Sequence, residues 1–366
     1  MKILCDRHQL QEAFSVVGGI PPLKTTKSVI QNVLLTATQD GVTCFATDLE
    51  MSAKATVGSV KVVEAGPVLL PSRETAALLR ELSDPTVTLS SDGARSTIES
   101  GNGSFELVSH DPEQFPAAPT IDRSAAFTVP AGSFLEMIRR TSFAAAREET
   151  RYAINGLLLD VDEGGVRLVG TAGRRLALAY VNIDHELPPR TRAIVPIRTL
   201  QALAKAVRED SDEPLSITLG KNQIHFSIGG IELTSQLLDN RFPDYEQVIP
   251  KAADSTVELR RELLEKNLRR VAVLSAGDLR MVRFEFRGST LKLSAESSGV
   301  GRAEQSMDIE LNGPGGGISF NPDFLLDALK VSDQEILRID MTDDSTPAKF
   351  TLGEAYTYIL MPISGS

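Results

Sequence analysis

Ala193-Ile194-Val195-Pro196-Ile197-Arg198 stands near the middle of the chain and leads into an amphipathic stretch that runs on to Val207. An apolar, β-branched run followed by a proline and then by 3.6-residue periodicity predicts a strand that turns directly into a helix. The same grammar occurs twice more. Val68-Leu69-Leu70-Pro71-Ser72-Arg73 runs on to Leu82, and Ile318-Ser319-Phe320-Asn321-Pro322-Asp323 runs on to Val331. Pro71, Pro196 and Asn321 are 125 residues apart at each step (196 − 71 and 321 − 196).

Other segments fall into the same frame. A strand pair is predicted at Asn32–Leu35 with Val42–Phe45. It returns at Asn155–Leu158 with Val166–Val169, and again at Val282–Phe286 with Leu291–Leu293. Asp40-Gly41 and Gly164-Gly165 supply turn residues between such strands. A strand and helix open each copy, at Ile3–Val17, Phe127–Ser142 and Val257–Leu274, and each copy closes at a proline (Phe115-Pro116, Phe242-Pro243, Met361-Pro362). Strands with one buried face need a cover, and two amphipathic helices per copy supply it. The period is far too long for a solenoid repeat. The fold class expected is α+β: three similar domains, roughly 1–124, 125–250 and 251–366, each with two helices packed on antiparallel sheet.

Composition sets the outer limits. At about 150 residues per domain, 366 residues allow two to three. No apolar run approaches the roughly 20 residues of a membrane span. Met1-Lys2-Ile3-Leu4-Cys5-Asp6 reads as a strand, so no signal peptide is expected. Cys5 and Cys44 are too few for a disulfide framework, which points to a reduced, cytoplasmic location. The net charge of −11 argues against nucleic acid unless the base is gathered on one surface. The repeat suggests that it is. Arg80, Lys205 and Lys330 match at steps of 125 and fall on the side of each second helix opposite its apolar stripe. Arg73 matches Arg198, while Asp323 breaks that pattern in the third copy. The first helices add Arg139, Arg140, Arg260, Arg261, Lys266, Arg269 and Arg270. Singly, each of these charges reads as a solvated helix face; the shared register favours a common cationic lining that would hold DNA by its phosphates without reading bases.

The chain resembles the bacterial DNA polymerase III beta subunit family over essentially its whole length. The motifs are Thr47-Asp48-Leu49-Glu50-Met51, Arg151-Tyr152 with Asn155-Gly156-Leu157, Thr171 with Gly173 and Arg175-Leu176-Ala177, Arg241-Phe242-Pro243-Asp244-Tyr245, Phe320-Asn321 with Leu325–Leu329, and Tyr358–Pro362. The resemblance implies a non-catalytic DNA sliding clamp: a processivity factor of three repeated DNA-clamp domains, closing as a head-to-tail homodimer into a six-domain ring around double-stranded DNA. It implies that domain 1 of one subunit meets domain 3 of the other through Phe105, Val273 and Leu274, for which a core role is the alternative. The implied DNA contacts, besides the helix residues, are Lys24 and the stretch Arg147 to Tyr152 with Arg151.

The resemblance also implies a pocket between domains 2 and 3 that takes short peptides from partners. Those partners are the DNA polymerase III alpha subunit, the clamp loader, and other DNA polymerases and repair proteins. Carried over, the pocket comprises Ile154, Thr171, Gly173, Arg174, Arg175, Leu176, Pro243, Val248, Pro347, Ile359, Met361 and Pro362. Met361 would give adaptable apolar surface suited to several partners. By themselves Ile154, Leu176 and Ile359 read as core residues, and only the resemblance assigns them to the pocket. Two positions depart from the family's usual residues: Ala172, commonly Asp, and Arg174, commonly His or an aromatic. The final Gly365-Ser366 reads as a possible expression scar.

Catalytic signatures are missing. No G-x-x-x-x-G-K-[ST] is present, and His8, His110, His185 and His225 lack metal-ligand spacing, so neither cofactor nor metal is expected. Asp48 and Glu50 could be paired acids of a nuclease, but no third ligand accompanies them. A peptide-binding scaffold of the same fold, specialised away from bulk replication, is the other reading.

Overall fold

The computed structural model describes residues 1–122, 126–146, 155–183, 189–208, 211–275, 280–297 and 299–363. Seven α-helices occur among them: α1 (Arg7–Val17), α2 (Ser72–Glu81), α3 (Ala131–Thr141), α4 (Ile197–Ala206), α5 (Tyr245–Val248), α6 (Arg261–Ala272) and α7 (Pro322–Lys330). Three of them start where the repeat predicts. Each follows a strand directly: Gly66–Pro71 before α2, Thr191–Pro196 before α4, and Gly316–Phe320 before α7. In the third copy Asn321 replaces the proline and caps α7, its side-chain oxygen accepting from the Asp323 and Phe324 N–H groups at 2.9 and 3.4 Å. All three predicted hairpins form, at Asn32–Thr38 with Gly41–Thr47, Gly156–Asp162 with Gly165–Thr171, and Val282–Arg287 with Thr290–Ser297.

The chain divides into two compact units, Met1–Ser133 with Arg198–Leu238, and Phe134–Ile197 with Asp239–Ser366. The first unit holds a five-stranded and an eight-stranded sheet. The eight-stranded sheet joins sequence copies one and two, because Met51–Val57 pairs antiparallel with Ile231–Gln236. The five-stranded sheet ends on Gly103–Val108, which pairs only with Arg95–Ser100 among the described strands. Helix α1 packs on this unit through Leu10, Ala13, Phe14 and Val17, all buried.

The second unit repeats the plan with a nine-stranded and a four-stranded sheet. Its nine-stranded sheet joins copies two and three, where Arg175–Val181 pairs antiparallel with Tyr356–Leu360. The four-stranded sheet ends on Gly301–Asp308, paired only with Thr290–Ser297 among the described strands. The main core of this unit gathers Leu264, Leu268 and Val271 of α6, Leu325, Ala328 and Leu329 of α7, and the aromatic side chains Phe284, Phe320, Phe350, Tyr356 and Tyr358. No described helix is long and apolar enough to cross a membrane.

Candidate partner groove and cationic helices

The strand junction in the second unit assembles most of the residues assigned to the peptide pocket. Leu176 stands opposite Ile359, and Thr171 opposite Leu176 on the other side. Residues opposite one another share a sheet face, so Thr171, Leu176 and Ile359 form one row. Leu158, Val169, Leu178 and Thr357 form the next row, and Asp160, Arg167 and Tyr180 the one beyond. Leu176 and Ile359 are buried, so they present no open surface themselves. Past the strand ends Met361 donates its N–H to the Arg174 carbonyl at 3.0 Å. Ala348 stands opposite Leu360, which brings Pro347 level with Met361. Met361, Pro362 and Pro347 are half-buried, and Gly173, Arg174 and Pro243 are exposed.

The turn at this mouth follows from its sequence. Thr171 Oγ1 donates to the Arg175 carbonyl at 2.7 Å and accepts from the Gly173 N–H at 3.2 Å. Gly173 adopts φ +85°, where a side chain would be strained. Arg175 points to the opposite face. Its guanidinium pairs with Asp327 at 2.7 Å, donates to the Phe143 carbonyl, and lies 4.6 Å from the Phe324 ring centroid. Arg175 is therefore a strut between α7 and the Phe143 segment, and it is buried on the helix side of the sheet. Ile154 lies outside the described residues.

The stretch Pro243–Val248 is fastened over the first face by a group that sequence reading missed. Asp160 is fully buried in the strand Gly156–Asp162. Its carboxylate accepts from Tyr245 Oη at 2.9 Å, Arg192 Nε at 2.9 Å and Arg190 Nη2 at 3.1 Å. Glu246 completes the cluster by accepting from Arg192 Nη2 at 2.8 Å and from Arg190. Burial alone would raise the Asp160 carboxyl, but the hydrogen bonds from Arg190, Arg192 and Tyr245 outweigh it and hold it below its ordinary 3.8. Burial, and then the bond to Asp160, push the Tyr245 phenol up to about 12, so it stays a donor. Val248, at the end of α5, is left 38% exposed beside this anchor.

The cationic residues divide into free and engaged. Arg80, Lys205 and Lys330 each lie in the last turn of their helix, exposed, and none has an ion-pair partner among the described residues. Arg73 is likewise exposed at the start of α2, beside a cleft of about 320 Å³ that Leu23, Gln31 and His110 also line. Lys24 is exposed on a loop pinned by Gln31 Nε2, which donates to the Pro22 and Leu23 carbonyls at 3.4 and 3.2 Å. Arg198 behaves differently from its counterpart Arg73. It pairs with Asp48 and donates to the Ile20 carbonyl at 3.1 Å, which ties three segments of the first unit together. Helix α6 carries its own acids: Glu265 pairs with Arg261 and Arg269 at 2.9 and 2.5 Å, and Glu262 with Lys266 at 3.8 Å. Its surplus charge is smaller than its basic residues suggest. Arg147, Arg151 and Tyr152 lie outside the described residues.

Asp48 is also committed locally, its Oδ1 accepting from the Glu50 and Met51 N–H groups at 3.0 and 2.7 Å. Cys5 and Cys44 are buried, and burial pushes both thiols up, away from nucleophile chemistry.

Comparison with known proteins agrees with this arrangement along the chain. Residues 1–119, 128–244 and 246–364 match, in order, the N-terminal, central and C-terminal domains of the DNA polymerase III beta subunit. The chain belongs to the DNA polymerase III beta subunit family. The beta sliding clamp of Chlamydia muridarum is 32% identical over 364 residues, covering 99% of each chain. That of Escherichia coli is 30% identical over 366 residues, covering 99% of this chain and all of the other. The crystal structure of the Pseudomonas aeruginosa sliding clamp bound to griselimycin superposes with a TM-score of 0.94 at 29% identity over the whole of both chains. Membership in this family makes the protein a DNA sliding clamp, a non-catalytic processivity factor of α+β clamp domains.

Proposed function

We propose that two copies of the chain close head to tail into a ring around duplex DNA, through two of its open sheet edges, Gly103–Val108 and Gly301–Asp308. A step of 124 carries Met51 to Arg175 and a step of 125 carries Ser235 to Leu360, and since Met51 pairs with Ser235 and Arg175 with Leu360 the two internal junctions are copies of one arrangement. A step of 125 from Leu176, the second residue of the strand Arg175–Val181, falls on Gly301, the first residue of the edge strand Gly301–Asp308. One step back from Ile231 falls on Glu106, inside the edge strand Gly103–Val108. Each edge is thus one half of a third junction, and its other half lies on a second copy. Unpaired edges invite a strand partner, and head-to-tail contacts close when the rotation closes. Phe105 lies on the first edge. Leu274 comes within 3.8 Å of where a Gly301 side chain would begin, and Val273 beside it is 74% exposed. The expected domains remain 1–124, 125–250 and 251–366, six to the ring.

In this reading Arg73, Arg80, Lys205, Lys330 and Lys24 hold DNA phosphates, together with Arg147, Arg151 and Tyr152. Arg198 supports the lining through Asp48. The groove from Gly173 to Met361 takes peptide tails of the DNA polymerase III alpha subunit, the clamp loader and other polymerases and repair proteins in the cytoplasm. Its apolar floor, half-buried Met361 and exposed Val248 support that use.

The carrying observation is that the edges Gly103–Val108 and Gly301–Asp308 stand one repeat away from the strands that pair at the internal junctions, and Phe105→Arg tests it. In sedimentation the unaltered chain should run as a dimer and the variant as a monomer. A variant that stays dimeric would refute the edge-to-edge ring.

A further inference from the structure

We propose that Asp160 and Tyr245 form a latch that positions the Pro243–Val248 wall of the groove, so that the rate at which a partner peptide enters depends on one buried hydrogen bond. The inference rests on the groove reading above and adds to it a residue pair that controls it. Asp160 interrupts the run Leu157-Leu158-Leu159-Asp160-Val161, every residue of which is buried. A carboxylate there is costly unless every oxygen is engaged. Arg190 and Arg192 alone would satisfy its charge. They are half-exposed, and Glu246 outside the sheet also draws on them. The hydroxyl of Tyr245 is the one contact that reaches Asp160 from the wall itself.

Apart from Tyr245, the wall is tied down only at Glu246, which accepts from Arg192 at 2.8 Å and from Arg190 on the half-exposed side of the cluster. α5 is a single turn without a side-chain cap. Asp244, Glu246, Gln247 and Val248 are all exposed, whereas Tyr245 is buried. Tyr245 therefore acts as the peg and Asp160 as the socket, and the Arg192 guanidinium, 5.6 Å from the ring centroid, lies against the ring. When the peg is out, the wall segment is free to move and the groove lacks one side. Apparent affinity then falls by the fraction of molecules with the wall in place. Asp160 and Tyr245 are positioning residues here, since neither is exposed to a ligand in the groove.

Tyr245→Phe removes the hydroxyl and keeps the ring in its slot. Loss of a hydrogen bond to a charged acceptor should weaken binding of the DNA polymerase III alpha subunit about tenfold. The loss should lie in the association rate, with dissociation unchanged. Hydrogen exchange should quicken in the peptide spanning Asp244–Val248 and stay unchanged in Arg175–Val181. Asp160→Asn, which keeps an oxygen for the hydroxyl, should fall between the unaltered chain and Tyr245→Phe on both measures. Unchanged association with unchanged exchange would overturn the latch, as would a loss confined to dissociation, which would make Tyr245 a direct contact. If the unaltered chain did not bind the alpha subunit, the groove reading would fall and the latch with it. Quickened exchange would then leave Tyr245 as a purely structural peg.

Discussion

Leu176 stands directly opposite Ile359 across an antiparallel strand pair, and the two side chains are 3% and 1% exposed. One pair thus serves two ends. It closes the sheet between the second and third sequence copies, and in the proposed function it also floors the groove. Stability and partner binding are expected to share these atoms.

Leu176→Ala or Ile359→Ala should each lower stability by about 2–4 kcal/mol, the usual cost of emptying a buried aliphatic site. The double variant should lose less than the sum, because the residues are in direct apposition. Chemical denaturation of the three variants checks this, and strict additivity would show that they do not share a packing site.

Arg175 is expected to govern stability more than partner affinity. Its fork reaches Asp327 and the Phe143 carbonyl together. Arg175→Ala should cost about 1.5–3 kcal/mol, the range for hydrogen bonds to charged groups. Arg175→Lys should recover little, since an ammonium cannot span both acceptors. Denaturation midpoints measured with alpha-subunit affinity separate the roles; a stable Ala variant that had lost its partner would identify Arg175 as a direct contact.

How much of this was legible in the sequence follows from the range of the interactions. Pro71, Pro196 and Asn321 mark three strand-to-helix corners because backbone chemistry at such a corner is local, and the structure has a corner at each. Arg80, Lys205 and Lys330 are exposed, as helical periodicity predicts. The junction of Arg175–Val181 with Tyr356–Leu360 was accessible only through resemblance, since no local pattern tells an edge strand which distant partner it will meet. Arg73 and Arg198 occupy matching positions, yet only Arg198 found a carboxylate, Asp48, on a neighbouring hairpin. Asp160 is illegible in the sequence for the same reason: its three donor residues, Arg190, Arg192 and Tyr245, are all distant along the chain and no local pattern joins them to it.

Acid should weaken the Asp160 cluster in a defined window. Its folded carboxyl lies below the ordinary 3.8, so its stabilisation is fully present above that value and is lost as pH falls through the lower folded value. The stability difference between the unaltered chain and Asp160→Asn should therefore be constant from neutral pH down to about 5 and shrink below 4. Denaturation at stepped pH measures it, and a difference that changed near neutrality would point to another titrating group.

The free cations should act as phosphate contacts without base preference. Replacing Arg80, Lys205 or Lys330 by Ala should each lower the slope of log affinity against log salt by about one. Arg198→Ala should act through stability instead, because its side chain is already paired. Binding to short duplexes of differing sequence over a salt series checks both; a sequence-dependent loss would contradict backbone-only contact.

The most direct test is retention on DNA of different topology. The clamp is loaded by its loader onto nicked circular duplex, and the circle is then cut once with a restriction enzyme. Enclosure by a closed ring predicts that the protein stays on the circle through gel filtration and is released on linearisation, with the monomeric Phe105→Arg chain retained on neither. Equal retention on circular and linear DNA would contradict enclosure and leave only surface attraction.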